Sequence, residues 1–189
     1  MKAPLALMAL AAAGAVAAPV TPPPFRPATV AVPVPTAERQ HAPFDGWAAQ
    51  EGGTRGGALA SPAHVYTVRD RAQLLAALSA TAPARIVRVA ASIDMSEGRA
   101  FADSEDQAKR GTVRIPSNTT LIGVAPGAGF VNGSLSVANV SQVVIRNLAL
   151  RNPCDVNPRW DPKDGPKGNW NSLFDAITVS NARHVWIDH

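Results

Sequence analysis

Apolar residues in this chain come mostly in short β-branched runs rather than in helical stripes. Residues 86–89, 113–115, 119–122, 143–145, 176–179 and 185–187 each predict a strand, and Gly, Pro, Ser and Asn punctuate them. One segment has helical spacing instead. Over 70–78, Leu74, Leu75 and Leu78 share a face, Asp70 stands at the N-cap and Gln73 follows three residues later, as in a capping box. No other stretch between the runs keeps a helical period for two turns. A single amphipathic helix ahead of many strands is expected to cap the open end of a stack of strands.

The strand-like runs also repeat. Residues 135–147 align without gaps on 177–189, an offset of 177 − 135 = 42. Halving that offset to 21 carries Asn139 back to Asn118 and Val143 back to Ile122. A period in the low twenties, with one strand cluster and one Asn per turn, predicts an all-β parallel β-helix. Its strands pair in parallel, and inward columns of Val, Ile and Leu form the core. Asn at equivalent turns is expected to stack its side-chain amides into a ladder. A leucine-rich repeat has a similar period, but its regular leucine frame is absent. The Gly-rich residues 50–57 lack the strand before and helix after that a phosphate-binding loop needs, so they read as an irregular lead-in.

The two ends change the picture. Met1-Lys2, an apolar run over 5–16 and the small-x-small pattern Ala15-Val16-Ala17 predict an export signal over 1–18. That run is too short to cross a bilayer. Residues 19–43, rich in Pro, Ala, Val and Thr, are expected to form a stiff polyproline II spacer, and the folded domain to occupy 44–189. The last repeat breaks off at His189, so the chain is expected to be the N-terminal part of a longer secreted protein. Lys and Arg outnumber Asp and Glu by 18 to 14, an excess compatible with an acidic partner. No Lys/Arg run and no aromatic-basic interleaving points to nucleic acid. Cys154 is the single cysteine, which in an exported protein implies a partner sulfur outside this chain or a buried thiol.

Residues 151–170 interrupt the repeat. They are polar, hold Pro153, Pro158, Pro162 and Pro166, and carry Asp155, Asp161 and Asp164. A solenoid commonly places its binding surface on such an interrupting loop. Gly-x-Ser-x-Gly, His-Glu-x-x-His and Cys-x-x-Cys are all missing, and His41, His64, His184 and His189 have no ligand-like spacing. The remaining candidates are the loop carboxylates together with Asp175, which opens the run 176–179. Hard oxygen ligands of this kind suit Ca²⁺, although no EF-hand spacing exists.

Three stretches resemble the family 1 pectate lyases. Phe44-Asp-Gly-Trp-Ala48 with Gly52-Gly53-Thr-Arg-Gly56-Gly57 is similar to their lead-in segment, and Ile115-Pro-Ser-Asn-Thr-Thr-Leu-Ile-Gly123 to their SNTTLIG coil. Asn169-Trp-Asn-Ser-Leu-Phe-Asp-Ala-Ile177, running into Val185-Trp-Ile-Asp-His189, resembles their WD-x3-D and vWIDH motifs, and Val144-Ile-Arg-Asn-Leu148 their IIRNL coil. The likeness covers 44–189.

It implies a right-handed parallel β-helix, here truncated, and a secreted monomeric lyase that cleaves polygalacturonate by Ca²⁺-dependent β-elimination. The C5 proton beside a uronate carboxylate is weakly acidic, and Ca²⁺ stabilises the charge that develops as a base removes it. By the same resemblance Asp175 is the Ca²⁺-ligating Asp, Trp170 precedes it in the motif, and Asn171 stands where some members have an acid. Asp188 and His189 are implied to be structural, and as strand neighbours they are expected to face opposite ways. The catalytic Arg, the substrate-binding Lys, the other metal acids and a partner for Cys154 are implied to lie beyond His189, which leaves this stretch inactive alone. Two other readings fit a β-helix: a non-catalytic module that binds acidic polysaccharide, and a Ca²⁺-independent pectin lyase relative, against which Asp175 counts.

Overall fold

Residues 36–189 are described by a computed structural model. The expected export signal and most of the expected spacer lie outside the described residues. In chain order the strands are β1 (Val65–Val68), β2 (Arg85–Val89), β3 (Ser92–Asp94), β4 (Thr112–Arg114), β5 (Thr119–Gly123), β6 (Gly129–Val131) and β7 (Ser134–Ala138). They continue with β8 (Ser141–Arg146), β9 (Ala149–Arg151), β10 (Arg159–Asp161), β11 (Asn169–Asn171), β12 (Ile177–Ser180) and β13 (Arg183–Asp188). Helices α1 (Arg71–Ser79) and α2 (Ser104–Gly111) interrupt the early turns. Each of the six runs picked out by its apolar pattern falls on a strand to within one residue, Ile115 and Ala176 lying just outside β4 and β12.

Three parallel sheets make the walls of a β-helix. One holds β1-β2-β5-β8-β13, the second β3-β6-β9, and the third β12-β7-β4. Each coil visits them in that order, as in β5, β6 and β7. Parallel stacking lines up like residues from coil to coil, so apolar positions form columns. Val87, Leu121 and Ile145 make one column in the first sheet, Ile93, Phe130 and Leu150 one in the second, and Val113, Leu135 and Ile177 one in the third. These columns meet in a single core. Leu74, Ala77 and Leu78 of α1 are buried in the same core, so the helix closes its N-terminal end. Asp70 accepts from the Gln73 amide at 2.8 Å, as its N-cap position predicts.

The repeat length needs correction. β13 pairs directly with β8 and β12 with β7, both 42 residues apart, so the offset is one coil and not two. The preceding first-sheet coil is 24 residues, with Thr119 opposite Val143, not the 21 that would set Ile122 opposite Val143. The extra length is the loop over 152–176, which leaves the wall and returns to it. The amide ladder changes accordingly. Asn181 donates to Asn139 across 2.7 Å, but Asn118 belongs to another column. Asn118, Gln142 and His184 all take left-handed φ, at 56°, 60° and 55°, at equivalent positions where successive strands of the first sheet begin, just before β5 and as the second residue of β8 and β13. Short polar side chains tolerate that conformation better than β-branched ones.

Two further features were not read from sequence. Helix α2 replaces the turn between β3 and β4, and its buried face is polar, Gln107 and Arg110, so no apolar stripe marks it. The packed body also begins upstream of Phe44. Thr36–Arg39 form a 3₁₀ turn in which Glu38, only 3% exposed, sits 2.7 Å from the Arg88 guanidinium. Arg39 donates to the Ala60 carbonyl at 2.7 Å and also to that of Ala58. The lead-in lies across the outer face of the first sheet, which buries Ile86 and Ile122 on that side as well. Gly57 allows the crossing, since a Cβ there would stand 1.8 Å from the Arg85 carbonyl oxygen.

Candidate functional site

The loop over 152–176 springs from the corner between β9 of the second sheet and β12 of the third. Its two limbs are tied together at the base. Asn152 Nδ2 donates to the Phe174 carbonyl at 2.8 Å, while the Asp155 carboxylate accepts from the Leu173 amide at 2.8 Å and from Ser172 Oγ at 3.0 Å. Phe174 is buried beneath them, and the Ala176 carbonyl accepts from the Leu135 amide at 2.9 Å. Asp175 is therefore flanked by two hydrogen-bonded carbonyls, those of Phe174 and Ala176, while its own side chain is exposed.

A third support comes from α2. Gln107 is fully buried, and both ends of its amide are used: Nε2 donates to the Cys154 carbonyl at 3.0 Å and Oε1 accepts from the Val156 amide at 3.0 Å. The helix is itself braced. Arg110 donates to both oxygens of Asp106 at 2.7 Å, which holds the Asp106 carboxyl well below the usual carboxylate range and raises Arg110. Sequence reading missed Gln107 because a polar residue on a polar helix gives no periodic signal.

The candidate acids do not all converge. Asp155 belongs to the loop base, and Asp161 accepts from the Lys163 amide at 2.8 Å, capping the turn of a small hairpin. That hairpin pairs β10 with β11 in antiparallel register and sets Trp160 opposite Trp170. Among the described residues no three His, Cys, Asp or Glu side chains gather as a metal cluster. Asp175 makes no side-chain hydrogen bond or ion pair among the described residues, so both oxygens are open to a hard cation. The donor chemistry of Asp175, a hard carboxylate oxygen, is of the kind Ca²⁺ takes.

Asp188 and His189 differ from expectation. His189 follows β13 with φ of 63°, which turns its ring back so that Nδ1 lies 2.7 Å from the Asp188 carboxylate. Asp188 also accepts from Arg146 Nε at 3.0 Å, and the Arg146 guanidinium lies 4.4 Å over the Trp186 ring. Arg146 donates in addition to Gln40 at 2.7 Å. These bonds join adjacent coils to the incoming chain. Cys154 is exposed rather than buried.

Known proteins match this arrangement. The sequence profile described as Pectate lyase covers residues 15–189. Pectate lyase E of Dickeya chrysanthemi is 42% identical over 155 residues, 82% of this chain and 37% of its own length. The pectate lyase of Bacillus subtilis (strain 168) is 34% identical over 190 residues, 77% of this chain and 44% of its own. A solved structure of a pectate lyase bound to a hexasaccharide superposes with a TM-score of 0.71 at 31% identity, over 82% of this chain and 50% of that one. The chain thus spans half or less of the length of each. A profile matched over nearly the whole chain, on a β-helix shared with solved relatives, shows that the chain belongs to the pectate lyase family.

Proposed function

We propose that this chain forms part of an exported polysaccharide lyase that cleaves polygalacturonate by Ca²⁺-dependent β-elimination, with Asp175 as one ligand of the ion. The observation that carries the reading is Asp175 itself. It is an exposed carboxylate without a side-chain partner among the described residues, fixed by a braced loop at the position where the pectate lyase motif has its ligating Asp. Ca²⁺ bound there would supply positive charge to offset what accumulates when the C5 proton of a uronate is removed.

The residues of this chain have a positioning share in that reaction. Asn152, Asp155 and Gln107 fix the loop, and the loop fixes the Asp175 backbone, so the carboxylate loses little entropy on meeting a cation. The base is proposed to lie outside residues 1–189. Export is supported by the apolar start of the chain and is consistent with the described residues, which contain no helix long and apolar enough to cross a membrane. A monomer is proposed for the complete lyase, since the inward columns of all three sheets form one core within a single chain.

The test is the Asp175→Ala variant of the complete lyase, assayed by the ultraviolet absorbance of unsaturated product. The Ca²⁺ concentration for half-maximal rate should rise by at least about tenfold, because affinity follows ligand charge count. An unchanged Ca²⁺ dependence would remove Asp175 from the metal site. Full activity in chelator would remove the metal from the mechanism.

A further inference from the structure

The Asp175 reading leaves the most exposed aromatic feature of the loop without a role. Trp160 and Trp170 face each other across the β10–β11 hairpin with centroids 5.5 Å apart and planes at 72°, yet they remain 49% and 65% exposed. Such an edge-to-face pair is a rigid unit. Gly168 fixes it further, because with φ of 77° and no side chain it lets the Trp160 ring lie on the backbone; a Cβ there would meet Trp160 Cζ2 at 2.6 Å. A cavity of about 320 Å³ opens at the foot of the hairpin, between Asn152, Cys154 and Asp155 on one limb and Trp170, Asn171 and Ser172 on the other. That volume falls at the small end of ligand sites.

Charge decides what fits. Arg159, Lys163 and Lys167 lie on the same hairpin and its turn, are exposed, and enter no salt bridge among the described residues. Of the nearby acids, Asp155 closes the loop base and Asp161 caps its own turn, which leaves Asp164 as the one unengaged carboxylate among the described residues of the hairpin, against three cations. Exposed indole faces beside unpaired cations suit a chain of flat sugar rings that bear carboxylates. The apolar face of each ring can lie on indole, and each carboxylate can meet an ammonium or guanidinium group.

We infer that the β10–β11 hairpin is a metal-independent outer subsite for a polyuronate chain, with Trp160 and Trp170 as the stacking platform and Arg159, Lys163 and Lys167 as carboxylate partners. The inference rests on the polygalacturonate reading above and adds to it a grip that needs no ion. Trp160 and Trp170 are positioning residues, and their loss should weaken binding without changing the chemical step.

The experiment is affinity gel electrophoresis of the 189-residue chain through polygalacturonate, highly methyl-esterified pectin or neutral galactan, all in EGTA. Chelator silences any contribution through Asp175. Polygalacturonate should retard the chain more than either other polymer. The Trp160→Ala/Trp170→Ala pair should weaken that retardation roughly tenfold or more. Lys163→Glu/Lys167→Glu, which leaves the indoles in place, should also weaken it, with circular dichroism unchanged in both variants. Undiminished retardation of both variants would overturn the subsite, as would equal retardation of the unaltered chain by galactan. The complete lyase separates this from the reaction itself: the tryptophan pair should raise KM for polygalacturonate and leave kcat near its starting value. A complete lyase that releases no unsaturated product would sink the polygalacturonate reading, whatever the gels show.

Discussion

At the scale of single residues, polar groups in the turns hold the coils at fixed spacing. Asp94 ends β3, and its carboxylate accepts from Asn132 Nδ2 at 2.9 Å, Ser96 Oγ at 2.8 Å, the Ser96 amide at 2.9 Å and the Gly98 amide at 3.1 Å. Burial alone would raise its pKa, but the four donors together outweigh it and leave the group below its ordinary value. A carboxylate depressed in the folded state contributes stability that is complete above its unfolded pKa. That stability drains away as pH falls through the folded value. Thermal unfolding followed at successively lower pH should therefore show an acid loss that Asp94→Asn reduces. The variant should be less stable at neutral pH, where the charge is hydrogen-bonded. If both proteins lose stability in parallel through the acid range, Asp94 is not a contributor.

Among whole elements, the loop over 152–176 is held by a helix far from it in sequence. Gln107 of α2 spans 47 and 49 residues to reach Cys154 and Val156. Gln107→Ala leaves a backbone carbonyl and an amide without partners, at a cost of about 1–3 kcal/mol. The loss should be local. Trypsin should cut faster at Lys163 and Lys167 in the variant, while the unfolding temperature of the body moves little. Equal cleavage rates would mean that the base bonds from Asn152 and Asp155 hold the loop unaided. This element also shows what the sequence could reveal. The inward columns announce themselves as β-branched runs, and Asp70 and Gln73 mark α1 by its cap. The coil length does not, because the step from β8 to β13 is 42 residues where that from β5 to β8 is 24, and the difference is loop. Asp175 is singled out only through its motif, since nothing in its spacing from Asp155 or Asp161 marks it. Gln107 and the Trp160–Trp170 contact depend on partners brought together by folding, which no local pattern encodes.

For the 189-residue molecule as a whole, the two ends of the stack differ. At one end α1 covers the core with Leu74, Ala77 and Leu78. At the other, β9, β12 and β13 are the outermost strands of their sheets. The inward column of the first sheet shows the effect: Leu121 is 0% exposed, Ile145 2% and Ile187 50%. Val179 of β12 is likewise 48% exposed. Unpaired strand backbone beside bared aliphatic side chains is a template for another chain. This chain, prepared by itself, should therefore self-associate, with light scattering giving a mass that grows with concentration. Val179→Lys/Ile187→Lys should shift it toward monomer, because a charge in the column opposes pairing at little cost where the side chain already meets water. In a longer chain whose next coil covers these positions, the same pair would bury two ammonium groups and should lower the unfolding temperature instead. The sign of one double substitution thus reports whether that end of the stack is bare or covered. A concentration-independent monomer of the unaltered chain would show that the exposed edge does not drive association.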